Sequence, residues 1–200
     1  VKLFSKYLQD KGIDYILVRE PGGTDVGEKI RAILLTDKTE LSPETEFLLF
    51  SASRSKLIAD VVKPALAEGK VVVMDRYFDS SFAYQGYAGK LELSDIQTIT
   101  NFAIGKDAIP DLTFLLDLSY EDGMKRKNAD AALKNLDRME LKGKAYHDRV
   151  REGYLSLAKQ DKNRIKVIDA TKSIDEVFSE ITTEFDARLA KSKEKSIKGK

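Results

Sequence analysis

The chain has 200 residues, 42% hydrophobic and 34% charged, with a formal net charge of +1, which suits one globular domain with a core of its own and excludes a disordered chain. So small a charge sets up no field to draw the protein to nucleic acid or to a membrane surface, and no apolar run approaches the roughly 20 residues of a membrane span. It holds no cysteine and one histidine, His147, which excludes disulfides, thiol chemistry and a multi-histidine metal site and fits a reducing, cytoplasmic setting.

Leu3, Phe4, Tyr7 and Leu8 recur at helical spacing, so Val1 to Lys11 reads as an amphipathic helix ended by Gly12. Ile13 to Val18 reads as a strand. It leads into Arg19-Glu20-Pro21-Gly22-Gly23-Thr24, where the glycines either let the backbone approach a ligand or simply make a turn. Val26 to Leu35 is helical, with Glu28 and Arg31 on polar positions. Ser42, Pro43, Glu44 and Glu46 mark a strong helix start, and that helix runs to about Val62 with Pro64 near its end. On it Phe50 and Arg54 share a face. A ring and a guanidinium there could grip a planar base; alternatively Phe50 is core and Arg54 a solvated charge.

Val71 to Met74 is too short for a helix and rich in β-branched residues, the pattern of a buried strand in a parallel sheet. It ends in Asp75-Arg76-Tyr77. Ligands of open α/β sheets sit beyond the carboxyl ends of strands, and an Arg there suits a phosphate. The other reading is an Asp-Arg pair capping the next helix. Tyr84-Gln85-Gly86-Tyr87 falls in or beside a short helix, and Ser94 caps a helix from Asp95 to Ile104.

Leu112 to Leu116 is the next strand, ending in Asp117. A helix from Ser119 or Tyr120 leads into the polar, basic stretch from Lys125 to Asn135, either a mobile flap or an ordinary solvated helix. Leu136-Asp137-Arg138-Met139-Glu140 opens into a long helix to about Gln160; it carries His147, to which no chemistry is assigned. Ile165 to Ile168 is a strand followed by Asp169-Ala170-Thr171, Ser173 caps a last helix to about Leu189, and residues 190–200 read as a frayed basic tail. Strands alternating with helices predict a three-layer α/β sandwich with a parallel sheet, one domain over residues 1–189.

Several of these pieces, in this order, resemble bacterial thymidylate kinase, of the P-loop nucleoside monophosphate kinase family. They are Arg19-Glu20-Pro21-Gly22-Gly23-Thr24, Leu49-Phe50-Ser51-Ala52-Ser53-Arg54, the block from Asp75-Arg76-Tyr77 to Tyr84-Gln85-Gly86, Pro110-Asp111-Leu112-Thr113, Leu136-Asp137-Arg138-Met139-Glu140 and Ile168-Asp169-Ala170. The resemblance implies phosphoryl transfer from ATP to dTMP with Mg²⁺, in a cytoplasmic homodimer. It implies Phe50 stacking on thymine, Arg54 donating to its O4, and Ser81 and Gln85 lining the base pocket. Tyr84 would crowd the sugar's 2′ position, Glu20 would lie near sugar and phosphate, and Arg31 and Arg76 would hold the monophosphate. Asp75, Arg76 and Arg138 are the implied catalytic set; Arg126, Lys134 and Arg138 belong to a lid over ATP at about residues 125–138.

The 200 residues contain no segment matching the family's phosphate-cradling loop, G-x-x-x-x-G-K-[ST]. The family carries that loop after a strand in the middle of its sheet. The expectation is that such a strand and loop precede Val1 in the intact protein. A further expectation is that these 200 residues alone do not phosphorylate dTMP at an appreciable rate. A dTMP-binding module without an ATP site, and a deoxynucleoside kinase, are the other readings.

Overall fold

The computed structural model describes residues 1–35, 40–129 and 142–198. Four five-residue strands run parallel in two pairs. β1 (Tyr15–Arg19) lies beside β2 (Val71–Asp75), with Tyr15 opposite Val71 and Arg19 opposite Asp75. β3 (Thr113–Asp117) lies beside β4 (Ile165–Asp169), with Asp117 opposite Asp169. Each ladder runs through a polar residue at the carboxyl end, one position beyond the apolar run that announces the strand. The polar residues therefore gather where ligands of parallel sheets bind.

Parallel neighbours need crossovers, and helices supply them. In chain order these are α1 (Lys2–Asp10), α2 (Asp25–Leu35), α3 (Pro43–Leu57), α4 (Lys63–Ala67), the single turn α5 (Asp79–Ser81), α6 (Leu93–Ile104), α7 (Tyr120–Ala129), α8 (Gly143–Gln160) and α9 (Ile174–Lys198). The main core packs Val18 of β1 against Phe47, Leu57 and Ile58 of the α3 region and Tyr77, Phe78 and Phe82 after β2. A smaller cluster joins Ala83 and Ala88 to Val150 of α8, with Tyr84, Tyr146 and Tyr154 around it.

Three expectations about elements are corrected. The helical path that starts at Pro43 does not stop at about Val62, though Pro64 does lie near its end. The chain widens into a π-helical turn over Ile58–Val62 and continues as α4 with Pro64 in its first turn. A wider turn relieves the clash between the proline ring and the preceding carbonyls. Ser94 does not cap α6. Glu92 is the extended residue before it and Leu93 the first helical one, with a Leu93 methyl close against Gly86. The last helix continues past Leu189 to Lys198. Ser42 does cap α3: its Oγ accepts from the Thr45 amide at 3.2 Å.

A second π-helical stretch, Phe82–Ala88, follows α5 and packs along α8. It carries Tyr84 and Gln85. No described helix is long and apolar enough to cross a membrane.

Candidate nucleotide site

Beyond the carboxyl ends of β1 and β2 lies a cavity of about 260 Å³. Its floor comes from the loop after β1 (Arg19, Glu20, Pro21) and the loop after β2 (Asp75, Arg76, Tyr77). Phe50 and Arg54 of α3, Arg31 of α2, and Ser81, Tyr84 and Gln85 complete the wall. Nine side chains that the sequence suggested for substrate or chemistry therefore face one space: Glu20, Arg31, Phe50, Arg54, Asp75, Arg76, Ser81, Tyr84 and Gln85.

Arg54 anchors the site. It is 1% exposed, so it is not the solvated charge that a helical Arg usually is. Its Nε donates to both Glu20 carboxylate oxygens, at 3.1 and 2.9 Å, and its Nη2 lies 2.8 Å from Oε2 and donates to Ser81 Oγ at 3.1 Å. Nη1 is buried and has no hydrogen-bond partner among the described residues. A guanidinium held on two sides with one donor spare is prepared to bond something that enters the cavity. Glu20 is 6% exposed; burial pushes its carboxyl up against the opposing pull of Arg54. Arg31 Nη1 donates to the Pro21 carbonyl at 2.9 Å, and the Gly22 amide donates to Ser53 Oγ at 3.2 Å. The loop after β1 is thus held from both α2 and α3.

Arg76 leaves β2 with φ +66°, a left-handed conformation that costs a non-glycine residue on the order of 1–3 kcal/mol. Its guanidinium lies 5.1 Å over the Tyr84 ring, which favours the cation at that spot. Tyr84 stands between Tyr146 and Tyr154, both edge-on with centroids 6.3 Å away. Tyr146 Oη donates to the Tyr84 carbonyl at 2.9 Å, and Tyr154 Oη donates to Ser80 Oγ at 2.7 Å. The backbone and ring of Tyr84 are fixed from α8, a helix far away in sequence. Asp75 and Arg76 are consequently not a pair that caps the following helix: α5 begins without a side-chain cap.

Gln85 is 2% exposed and gives Nε2 to Glu46 Oε1 at 2.8 Å. Glu46, Tyr154 and His147 belong to the surroundings of the site and were not singled out by sequence. Glu46 reads as one more acid in a helix's first turn, and nothing local signals that it is 2% exposed. His147 lines the cavity, its ring stacked on Tyr120 at 5.6 Å and edge-on to Tyr146 at 5.9 Å.

The lid residues divide. Arg126 of α7 lies apart from the cavity and donates to the Thr171 carbonyl at 3.3 Å, beside the Asp169-Ala170-Thr171 turn. Lys134 and Arg138 lie outside the described residues. A second cavity of about 290 Å³ opens at the end of β3, between α7 and α8. At its edge Arg151 holds Asp117 in two bonds of 2.7 and 2.8 Å. Among the described residues no three His, Asp or Glu side chains converge to hold a metal ion.

Parallel strands, an arginine at a strand's carboxyl end and an aromatic slot with a spare buried donor define an α/β protein of the nucleotide-binding kind. The likeness to known proteins narrows this. The sequence model of the family described as Thymidylate kinase matches residues 1–181. A thymidylate kinase of Chlorobium luteolum is 41% identical over 195 residues, covering 94% of this chain and 91% of the relative. One of Clostridium novyi is 44% identical over 184 residues, covering 90% and 88%. The crystal structure of thymidylate kinase from Ehrlichia chaffeensis superposes with a TM-score of 0.74 at 31% identity, covering 92% of this chain and 89% of that one. The chain belongs to the thymidylate kinase family, and its fold is that of the P-loop nucleoside monophosphate kinases.

Proposed function

We propose that this protein transfers the terminal phosphoryl group of ATP to the phosphate of dTMP, giving dTDP and ADP. Membership of the family supports the reaction; the cavity supports the assignment of roles. The observation that carries it is the spare, buried Nη1 of Arg54 in a slot shared with Phe50, Gln85 and Arg76.

Phe50 stacks on thymine, Arg54 Nη1 donates to its O4, and Ser81 and Gln85 bond the remaining polar edge. Tyr84 crowds the sugar's 2′ carbon and disfavours a ribose. Arg76 holds the acceptor phosphate with Arg31 at hand, and Glu20 fixes Arg54 from beneath. Phosphoryl transfer needs alignment and charge stabilisation more than covalent chemistry. Arg76 and Asp75 at the strand end therefore serve the reacting phosphate. Arg126, Lys134 and Arg138 bring positive charge from the lid side and exclude water, the competing acceptor. Mg²⁺ would come with ATP as part of the co-substrate and would offset charge on the nucleotide phosphates.

We further propose a homodimer acting in the cytoplasm. Phe102, 91% exposed on α6, and Leu48, 53% exposed on α3, supply apolar surface for such contact. Sedimentation showing a monomer at micromolar concentration would remove the dimer.

The test is coupled ADP release by the intact protein, not by the 200 residues alone, from ATP with dTMP or thymidine as acceptor. Turnover should require dTMP, and Phe50→Ala should lower dTMP affinity at least about tenfold, the value of a lost stacking partner. Turnover on thymidine but not on dTMP would replace this reading with a nucleoside kinase.

A further inference from the structure

We infer that Glu46 is a positioning residue for base discrimination: it fixes the amide of Gln85 so that the cavity presents an acceptor as well as the donor of Arg54. The inference rests on the proposed function, because it takes the cavity's ligand to be a pyrimidine nucleotide. Gln85 gives Nε2 to Glu46 Oε1 at 2.8 Å. A carboxylate can only accept, so the amide must turn its NH₂ end toward Glu46 and its carbonyl away. Gln85 Oε1 makes no hydrogen bond among the described residues, and Gln85 lines the cavity.

Glu46 is itself held. It is 2% exposed, sits in the first turn of α3 where the helix end complements negative charge, and has Lys142 Nζ 3.5 Å from Oε2. Lys142 in turn lies 4.7 Å over the Tyr146 ring, so this charge belongs to the same packed wall. Nothing in this arrangement touches a substrate; it acts through Gln85.

The consequence is a two-atom pattern. Arg54 Nη1 offers a buried donor without a partner among the described residues, and Gln85 Oε1 offers an acceptor. A 4-keto pyrimidine answers with its O4 acceptor and N3–H donor. Cytosine presents the reverse, an amino donor at position 4 and an acceptor at N3. Against cytosine both protein atoms stay unbonded in a buried site, which penalises the wrong base more than losing a hydrogen bond alone. If Glu46 could also donate, Gln85 would be free to rotate its amide and offer Nε2 to the N3 of cytosine. Discrimination then depends on a residue one step behind the pocket.

The experiment is calorimetric binding of dTMP and 5-methyl-dCMP to the full chain, which differ only in the groups at positions 3 and 4. The wild type should prefer dTMP. Glu46→Gln, whose amide accepts or donates, should reduce the dTMP to 5-methyl-dCMP affinity ratio by about tenfold or more. Gln85→Leu should reduce the ratio similarly, and adding Glu46→Gln to it should change the ratio no further. Should Glu46→Gln fail to fold, Glu46→Asp withdraws the acceptor by one methylene and should lose part of the ratio. An unchanged ratio, or an equal loss of affinity for both ligands, would overturn the role of Glu46 and leave the proposed function standing. A wild type that does not prefer dTMP would overturn the proposed function first.

Discussion

The largest fully buried side chain is a charged one, Arg54, and the site is built by satisfying it incompletely. Glu20 and Ser81 bind two of its three nitrogens, and the third has no partner among the described residues. A residue-scale consequence concerns Tyr154. Burial, with the nearby Tyr84 phenol, pushes its hydroxyl up to about 12 despite the opposing charge of Arg76. In the unfolded chain a tyrosine ionises near 10. Below about pH 10 both states keep the proton, and the contribution of Tyr154 to stability is fully present. From about 10 to 12 only the unfolded state gains by releasing it, so stability falls as pH rises through that window. Tyr154→Phe removes this dependence. Urea midpoints measured from pH 9 to 12 should fall less steeply for the variant, by on the order of 2–3 kcal/mol across the window. Parallel curves would show that Tyr154 ionises as freely folded as unfolded.

The resemblance of these motifs to a known family implied which residues meet here; the residues alone left Arg54 open as a solvated charge and Asp75-Arg76 as a helix cap. Neither showed their mutual bonds. Glu20 and Arg54 are 34 positions apart, and Gln85 and Glu46 are 39 apart. Each reads locally as an ordinary surface polar residue, since burial depends on how α3 lies against the stretch after β2.

At the scale of elements, the second π-helical stretch is the part least visible in sequence and most consequential for the site. Apolar periodicity does not distinguish a widened turn from an α-helical one, and pairing with α8 sets its position. Gly153 makes that pairing possible. A Cβ at this position would meet Cβ, Cγ and Cδ2 of Tyr87 at 2.9 Å. Tyr87 has little freedom to withdraw, because its hydroxyl is tied to Ser156 at 2.8 Å. Gly153→Ala should gain up to about 1 kcal/mol of helix propensity. It loses roughly 1–3 kcal/mol to overpacking. The clash involves ring carbons near the backbone, so overpacking wins. Thermal unfolding should shift downward by a few degrees. Affinity for dTMP should fall several-fold, because Tyr84 and Gln85 ride on the displaced stretch. A variant as stable as the parent would mean that α8 and the π-helical stretch slide past one another without cost. The strands, by contrast, were legible to within one or two residues, because β-branched runs bounded by turn residues have no other use in a parallel sheet.

Across the whole molecule, the two strand pairs share no ladder among the described residues, so side chains carry the connection between them. Arg164, immediately before β4, is one of these. Its Nη1 and Nη2 hold the Asp79 carboxylate at 2.6 and 2.9 Å, its Nη1 reaches Thr113 Oγ1 of β3 at 3.2 Å, and its Nε bonds Asp161 at 2.9 Å. The guanidinium also lies 5.2 Å over the Phe78 ring. Asp79 opens α5, three residues after Arg76, so one guanidinium couples the loop proposed to hold the acceptor phosphate to the other half of the fold.

The two ends of this pair are not equivalent. Asp79 is 6% exposed, and Arg164 is its only cationic partner among the described residues. Removing Arg164 strands a buried carboxylate, which costs roughly 3–5 kcal/mol. Removing Asp79 leaves Arg164 with Asp161, whose side chain is 47% exposed, so the loss should be smaller by about half. Arg164→Met and Asp79→Leu together remove both charges and fill the space with apolar atoms. Such a replacement often restores most of the stability lost in the single variants. Urea unfolding of the four proteins should therefore rank wild type and double variant together, Asp79→Leu below them and Arg164→Met lowest. Additive losses would mean that Arg164 acts through Thr113 and Phe78 rather than through Asp79, and would end its role as the link between the two halves.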